Sequence, residues 1–341
     1  MTVEYKPTLS RRTAGNAGPK ADAASQEAER ARPNGRSPMT HASSESHIAP
    51  SPQAGAEALE QAGQRYRFER LALPIVMRDL HFNRDDPGPG DGVPALDLPT
   101  VQKGRFRSSD LAVTGPALLI FGSSTCPMTD SAAPGLNELY CRFGDRVRFV
   151  MVNVREAHPG KALPQPRTLE AKTAHAELLR DLHGFEFEIA VDDVDGTLHR
   201  ALSPKPNSAY VLGADGTILF RAHWANDTEA LAAALTAVVA GESPRPSQSG
   251  GLVRPMLRIL RNIAPVLDRA GSSAWADMWR VAPPLAALAF ALKALGLRPR
   301  SSHSPAAREA CENRRWSVGP TGRLAGADPQ PAPLAAPDYR R

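Results

Sequence analysis

The distribution of apolar and polar positions divides the chain into stretches of different character. Residues 1–64 carry only five side chains of the Val/Ile/Leu/Phe/Tyr/Trp set: Val3, Tyr5, Leu9, Ile48 and Leu59. So few groups cannot bury enough surface to offset chain entropy, and this segment is predicted to be disordered. Residues 65–91 are more apolar and read as an extension ending in the turn-rich DDPGPGDGVP. Residues 92–241 have the pattern of a folded α/β domain.

Within that domain, GRFRSSDL (104–111) reads as a short strand running into a turn. PALLIFGSS (116–124) is a continuous apolar run closed by Gly-Ser-Ser, as expected of a strand buried on both faces. After Cys126-Pro127, Ala132, Leu136, Leu139, Tyr140 and Phe143 recur at helical spacing, with Gly144 placed as the stop. RVRFVMVNV (146–154) is a second strand, followed by the proline-broken loop HPGKALPQP (158–166). A second helix carries the stripe Ala171, Ala174, Leu178 and Leu182 and closes at Gly184. FEIAVDD (187–193) is a third strand, and 208–223 is a hairpin turning at Asp215-Gly216. A terminal helix over 226–241 has Asn226 or Asp227 as its cap. The order β-α-β-α-β-β-α, parallel first and a hairpin last, predicts a thioredoxin-like fold with a central mixed sheet flanked by helices.

The remainder, 242–300, opens as a linker and becomes helical. Over 252–270, Met256, Leu260, Ile263 and Leu267 share one face, with Arg254, Arg258, Arg261 and Arg269 on the other. Residues 281–297 are strongly apolar but contain Pro283-Pro284 and Lys293, at the short end of a membrane span. The pattern predicts contact through 252–297 with a membrane surface, with a second copy of the chain, or with the domain itself. Residues 301–341 read as a second disordered tail.

Composition sharpens this picture. Glycine and proline number 26 and 32 of 341 residues while aromatics are only 6%, consistent with long stretches that do not pack. The net charge of +5 is uneven: from residue 248 onward there are 14 Lys/Arg against 6 Asp/Glu. These basic groups are not interleaved with stacking aromatics, which argues against a nucleic-acid-binding protein. Three cysteines exclude a disulfide-stapled scaffold and a four-cysteine zinc module. The first thirty residues lack the apolar run of a secretory leader, so a cytoplasmic location is expected. No metal-ligand cluster or phosphate loop is evident, and no cofactor is expected.

Cys126 is the central chemical candidate. It stands between a buried strand and a helix, with Pro127 at the first helical position. Free N–H groups and the positive end of the helix dipole there are expected to lower its pKa and make it nucleophilic. A dithiol mechanism needs a second cysteine at the position of Thr129, and the usual peroxiredoxin pattern is half lost, with Leu119 and Ser123 at its proline and threonine positions. Cys141 lies roughly 22 Å along the same helix and cannot reach Cys126, whereas Cys311 falls in the tail. His158 follows the second strand, where a loop imidazole can reach the neighbouring strand's cysteine as proton donor or thiolate partner. Glu156 either orients that imidazole or is surface charge. His175, His183 and His199 read as surface polar groups.

Over about residues 92–241 the chain resembles the iodothyronine deiodinases and their bacterial relatives. The resemblance rests on FGSSTCP (121–127), where vertebrate members carry selenocysteine at the Cys126 position, and on Glu156-Ala157-His158-Pro159. QPRTLEAK (165–172) and VDDVDGTLHRAL (191–202) follow in order and spacing. It implies that Cys126 is the nucleophile, that Ser124 and Thr125 organise the site, and that His158 serves the proton path. The implied substrate is a halogenated small molecule or a peroxide, with an external thiol as reductant. The chain departs from the family at Asn207-Ser208, which replace an acidic-basic pair, and at His223-Trp224-Ala225-Asn226, which replace a glycine-rich segment. Pro206 stands one residue before the expected cis-proline position. The alternatives are a one-cysteine peroxiredoxin-like peroxidase or thiol reductase, and a non-catalytic binding module of the same fold.

Overall fold

A five-stranded mixed sheet organises the chain in the computed structural model, which describes residues 61, 63, 65–81, 83, 85–245 and 253–299. The readings for 1–60, the 246–252 linker and 300–341, Cys311 among them, lie outside the described residues. The central strand β3 (Ala117–Gly122) is buried along its whole length, as its unbroken apolar run requires. It pairs in parallel with β4 (Arg148–Asn153), which pairs in parallel with β5 (Glu188–Val191). On its other side lies the antiparallel hairpin of β6 (Ala209–Leu212) and β7 (Ile218–Ala222). The strand order is therefore β5-β4-β3-β6-β7, the thioredoxin-like arrangement. A two-stranded ribbon of Asp97–Pro99 and Arg105–Arg107, here β1 and β2, flanks the sheet.

Alternation along the strands serves two cores. Leu118, Ile120, Met151, Ile189 and Val211 face α3 (Pro127–Phe143), α4 (Leu169–His183) and α6 (Thr228–Val239). Leu119, Phe121, Val150, Val152 and Tyr210 face Phe106, Leu111 of α2 (Leu111–Thr114), and Leu198 and Leu202 of α5 (Thr197–Leu202). Local chemistry sets the helix ends. The Thr168 hydroxyl accepts the Ala171 N–H to start α4, and Gly184 ends it in the left-handed region, φ 60°. Of the two expected caps of α6, Asp227 takes the position but makes no side-chain cap bond, and Asn226 donates to Ser131 and to the Pro255 carbonyl.

The extension and the C-terminal segment complete the structure. Within 65–91, α1 (Leu73–Leu80) forms and Tyr66 is buried. Residues 253–299 fold into α7 (Val253–Ala270), α8 (Ser272–Val281) and α9 (Pro283–Ala294). The apolar segment 281–297 is thus a short helix started by its prolines, and among the described residues no helix is long and apolar enough to cross a membrane. The apolar face of α7, through Ile259, Ile263 and Leu267, joins Met278, Ala286 and Ala289 in a third core with Cys126, Met128 and Trp224. Of the contacts expected for 252–297, the one with the domain is made by this face, while Leu257 of α7 and Phe290 of α9 stay exposed. Arg258 and Arg269 also turn inward, Arg258 to the Asn226 carbonyl and Asp227, and Arg269 to Asp130.

Candidate functional site

The strand-to-helix junction after β3 places Cys126 in extended backbone, φ −105° and ψ 113°, as the N-cap of α3 with Pro127 following. The backbone N–H groups of Met128 and Thr129 and the Thr129 hydroxyl are donors that favour its thiolate, although the Cys126 side chain makes no cap hydrogen bond in the resting structure. Thr129 thus occupies the dithiol position with a donor. Cys126 is free and only 1% exposed. Burial pushes its thiol up to about 11, more than the three donors can offset. The expected lowering is reversed because the α7–α9 cover, distant in sequence, removes water from the helix start.

The polar residues before Cys126 hold one another. The Thr125 hydroxyl and backbone N–H donate to Glu156 Oε2 at 2.6 and 2.8 Å. Thr125 Oγ1 in turn accepts the His158 backbone N–H at 3.1 Å. The Ser124 hydroxyl donates to the His175 carbonyl at 2.9 Å, and the Ser124 carbonyl accepts from Arg269. Glu156 is neither surface charge nor the partner of the His158 ring: it is fully buried and its other oxygen meets His175 Nδ1 at 2.8 Å. Gln165 brackets the Glu156 backbone, accepting its N–H at 2.7 Å and donating to its carbonyl at 3.2 Å.

His158 Nδ1 lies 3.0 Å from the Thr125 carbonyl. A carbonyl only accepts, so Nδ1 carries the proton and Nε2 is the bare nitrogen of the neutral ring. Burial holds the His158 pKa below its ordinary value, which keeps the ring neutral at pH 7. The three histidines expected at the surface are not there. His175 joins the Glu156 network, His183 Nε2 lies 3.2 Å from Asp130, and His199 is buried between Tyr66 and the Lys205 carbonyl. Helical periodicity could have flagged His183, since it falls one turn after the apolar Leu179.

Cys126 and His158 line one cavity of about 120 Å³. The domain contributes Met128, Ala157, Pro206 and Trp224 to it; the extension contributes Val76, Asp79 and Leu80; the cover contributes Met256, Ile259, Ile263 and Met278. Asp79 is the one carboxylate in this wall, and Arg155 Nη2 holds it at 2.5 Å. The cover residues escaped sequence reading because their apolar stripe shows that they must be covered, not what they cover. Among the described residues no group of three His, Cys, Asp or Glu side chains is placed to hold a metal ion.

No protein-family model matches the chain, and no curated protein matches it either. Solved structures are similar over about half of it. An uncharacterized conserved protein from Geobacillus kaustophilus is 17% identical, covering 49% of this chain and 93% of its own, with a TM-score of 0.39. A putative thiol:disulfide interchange protein DsbE from Chlorobium tepidum is 23% identical, covering 45% and 99%, with a TM-score of 0.36. Peroxidoxin BcpB from Mycobacterium tuberculosis is 20% identical, covering 45% and 98%, with a TM-score of 0.34.

Proposed function

We propose that the protein is a one-thiol oxidoreductase in which Cys126 is the nucleophile and His158 moves the proton, with reductive dehalogenation as its reaction. The reading is supported by one observation above the others: a free thiol at a helix N-terminus and a neutral imidazole share one apolar cavity. With Nδ1 held by the Thr125 carbonyl, Nε2 is the nitrogen left to take the Sγ proton. No hydrogen bond joins the two groups in the resting site, so the transfer belongs to the substrate-bound state, where Met128 and Thr129 favour the thiolate. The thiolate attacks the halogen of a carbon–halogen bond. A sulfur–halogen bond forms, the electron pair of the broken bond stays on carbon, and His158 returns the proton there.

An external thiol then attacks Cys126 sulfur, expelling halide and leaving a mixed disulfide. A second thiol releases Cys126 as thiol and leaves as the disulfide product. The substrate is thereby reduced, two thiols are oxidised, and one halide and one proton are released. Peroxide reduction would share the thiolate step, with oxygen in place of halogen and water in place of halide. Thr129 at the second-cysteine position favours either one-thiol reaction over dithiol exchange.

The test exposes full-length protein to an iodinated phenol or to hydrogen peroxide, with dithiothreitol as reductant, and follows iodide release, peroxide loss and intact mass. Dehalogenation predicts iodide release and a Cys126-centred adduct, both lost in Cys126→Ser. His158→Ala is expected to slow turnover by about 10²–10⁴-fold. Peroxide turnover without iodide release would replace the reaction by peroxidase chemistry. No modification of Cys126 by either reagent would leave a binding module.

A further inference from the structure

We propose that the cavity beside Cys126 is a binding site for a small, uncharged, apolar electrophile no larger than about one aromatic ring, and that α1, α7 and α8 set this limit. The inference rests on the reading of Cys126 as nucleophile and adds to it the class of molecule delivered there. Size comes first. Interiors fill about three quarters of their space, so a cavity of about 120 Å³ accommodates roughly one benzene ring. Apolar cavities of roughly 150 Å³ do take up benzene in other proteins. The cavity is open on one side, so the second ring of a two-ring ligand would lie in its mouth, away from the apolar wall.

Charge comes second. The cavity's apolar wall includes Val76 and Leu80 of α1, Ile259 and Ile263 of α7, and Met278 of α8. Asp79, the one carboxylate in the wall, is matched by Arg155, and no lysine or arginine lines it. A charged ligand would lose its hydration without gaining a counter-charge, at a cost that an apolar contact surface cannot return. His158 is the remaining polar wall group able to meet a substrate, and its neutral Nε2 suits a weakly polar or halogenated one.

Binding is measured on the full chain, both wild type and Cys126→Ser, by calorimetry and by the rise in melting temperature with ligand. The probes are iodobenzene, diphenyl ether and 4-iodobenzoate. Iodobenzene is expected to bind saturably to both proteins, with diphenyl ether and 4-iodobenzoate weaker by roughly tenfold or more. Ile263→Trp fills the cavity and is expected to abolish iodobenzene binding. Met278→Ala enlarges it and is expected to narrow the gap between diphenyl ether and iodobenzene. If Ile263→Trp does not fold, the wild-type ranking and Met278→Ala decide. Diphenyl ether or 4-iodobenzoate binding as tightly as iodobenzene, or iodobenzene binding indifferent to both substitutions, would overturn the assignment. Binding as expected, with Cys126 inert to every electrophile tried, would support the cavity and overturn the thiol reading instead.

Discussion

Two opposing effects meet at Cys126, and their magnitudes decide its state. Three donors at the start of α3 favour the thiolate, but burial favours the thiol and prevails, pushing the pKa to about 11. Labelling of the full chain with iodoacetamide, read on the Cys126 peptide by mass spectrometry, is therefore expected to have its midpoint near 11. A midpoint near the free value of roughly 8.5 would contradict this balance. The same shift has a sign for stability. A group whose pKa is raised on folding contributes fully below its unfolded value and loses that contribution as pH rises through the folded value. Melting temperature should thus fall from about pH 9 to about pH 11 more steeply in wild type than in Cys126→Ser. The position of Cys126 was legible from the strand run and Pro127. Its proton affinity was not, because Ile259 and Ile263 are more than a hundred residues away in sequence. Glu156 shows the same division: its place after β4 was legible, its bonds to Thr125 and His175 were not.

At the scale of elements, strands were read more securely than their neighbours' faces. The runs at 116–124 and 146–154 became β3 and β4 because a strand buried on both sides leaves an unbroken apolar signature. Helix α7 showed its stripe equally well, but its arginine face is divided: Arg254 and Arg261 are exposed, whereas Arg269 reaches Asp130 at 2.9 and 3.1 Å and also donates to the Ser124 carbonyl. Asp130 is buried, which works against its charge, but His183 and Arg269 together hold its carboxyl below the usual range. Removing Arg269 leaves that carboxylate with His183 alone. Arg269→Ala is expected to cost on the order of 3 kcal/mol in urea unfolding, as for other broken buried pairs. Arg269→Lys, which keeps the charge but not the fork, should cost less. Equal stability of Arg269→Ala and wild type would show that α7 is held by its apolar face alone. Gly160 serves the same junction: an added Cβ there would collide with the Ala270 carbonyl, so the loop bearing His158 can meet the end of α7 only with glycine. Ala162 N–H donates to that same carbonyl at 3.0 Å.

For the whole molecule, the cover both forms the cavity wall and keeps water from the thiol, so the two properties should move together. Asp277 of α8 binds Arg70, Arg280 and the Leu71 backbone N–H, tying the cover to the extension. Arg269 and the Gly160 junction tie it to the domain. In the proposed reaction an external thiol would meet a sulfur only 1% exposed, so that reading requires this cover to open. Opening restores water while leaving Met128 and Thr129 in place as donors, and the balance at Cys126 then tips toward the thiolate. Combining Gly160→Ala with Asp277→Asn loosens both attachments without touching the wall of the cavity. The Cys126 labelling midpoint is expected to fall from near 11 toward or below 9, and labelling at pH 8 to accelerate by roughly 100-fold, the gain in thiolate fraction for such a shift. Iodobenzene affinity should fall in parallel as the wall departs, while far-ultraviolet circular dichroism of the sheet and its flanking helices persists. A variant that folds, loses iodobenzene binding and still labels with its midpoint near 11 would separate the two properties and show that something other than the cover keeps the thiol protonated.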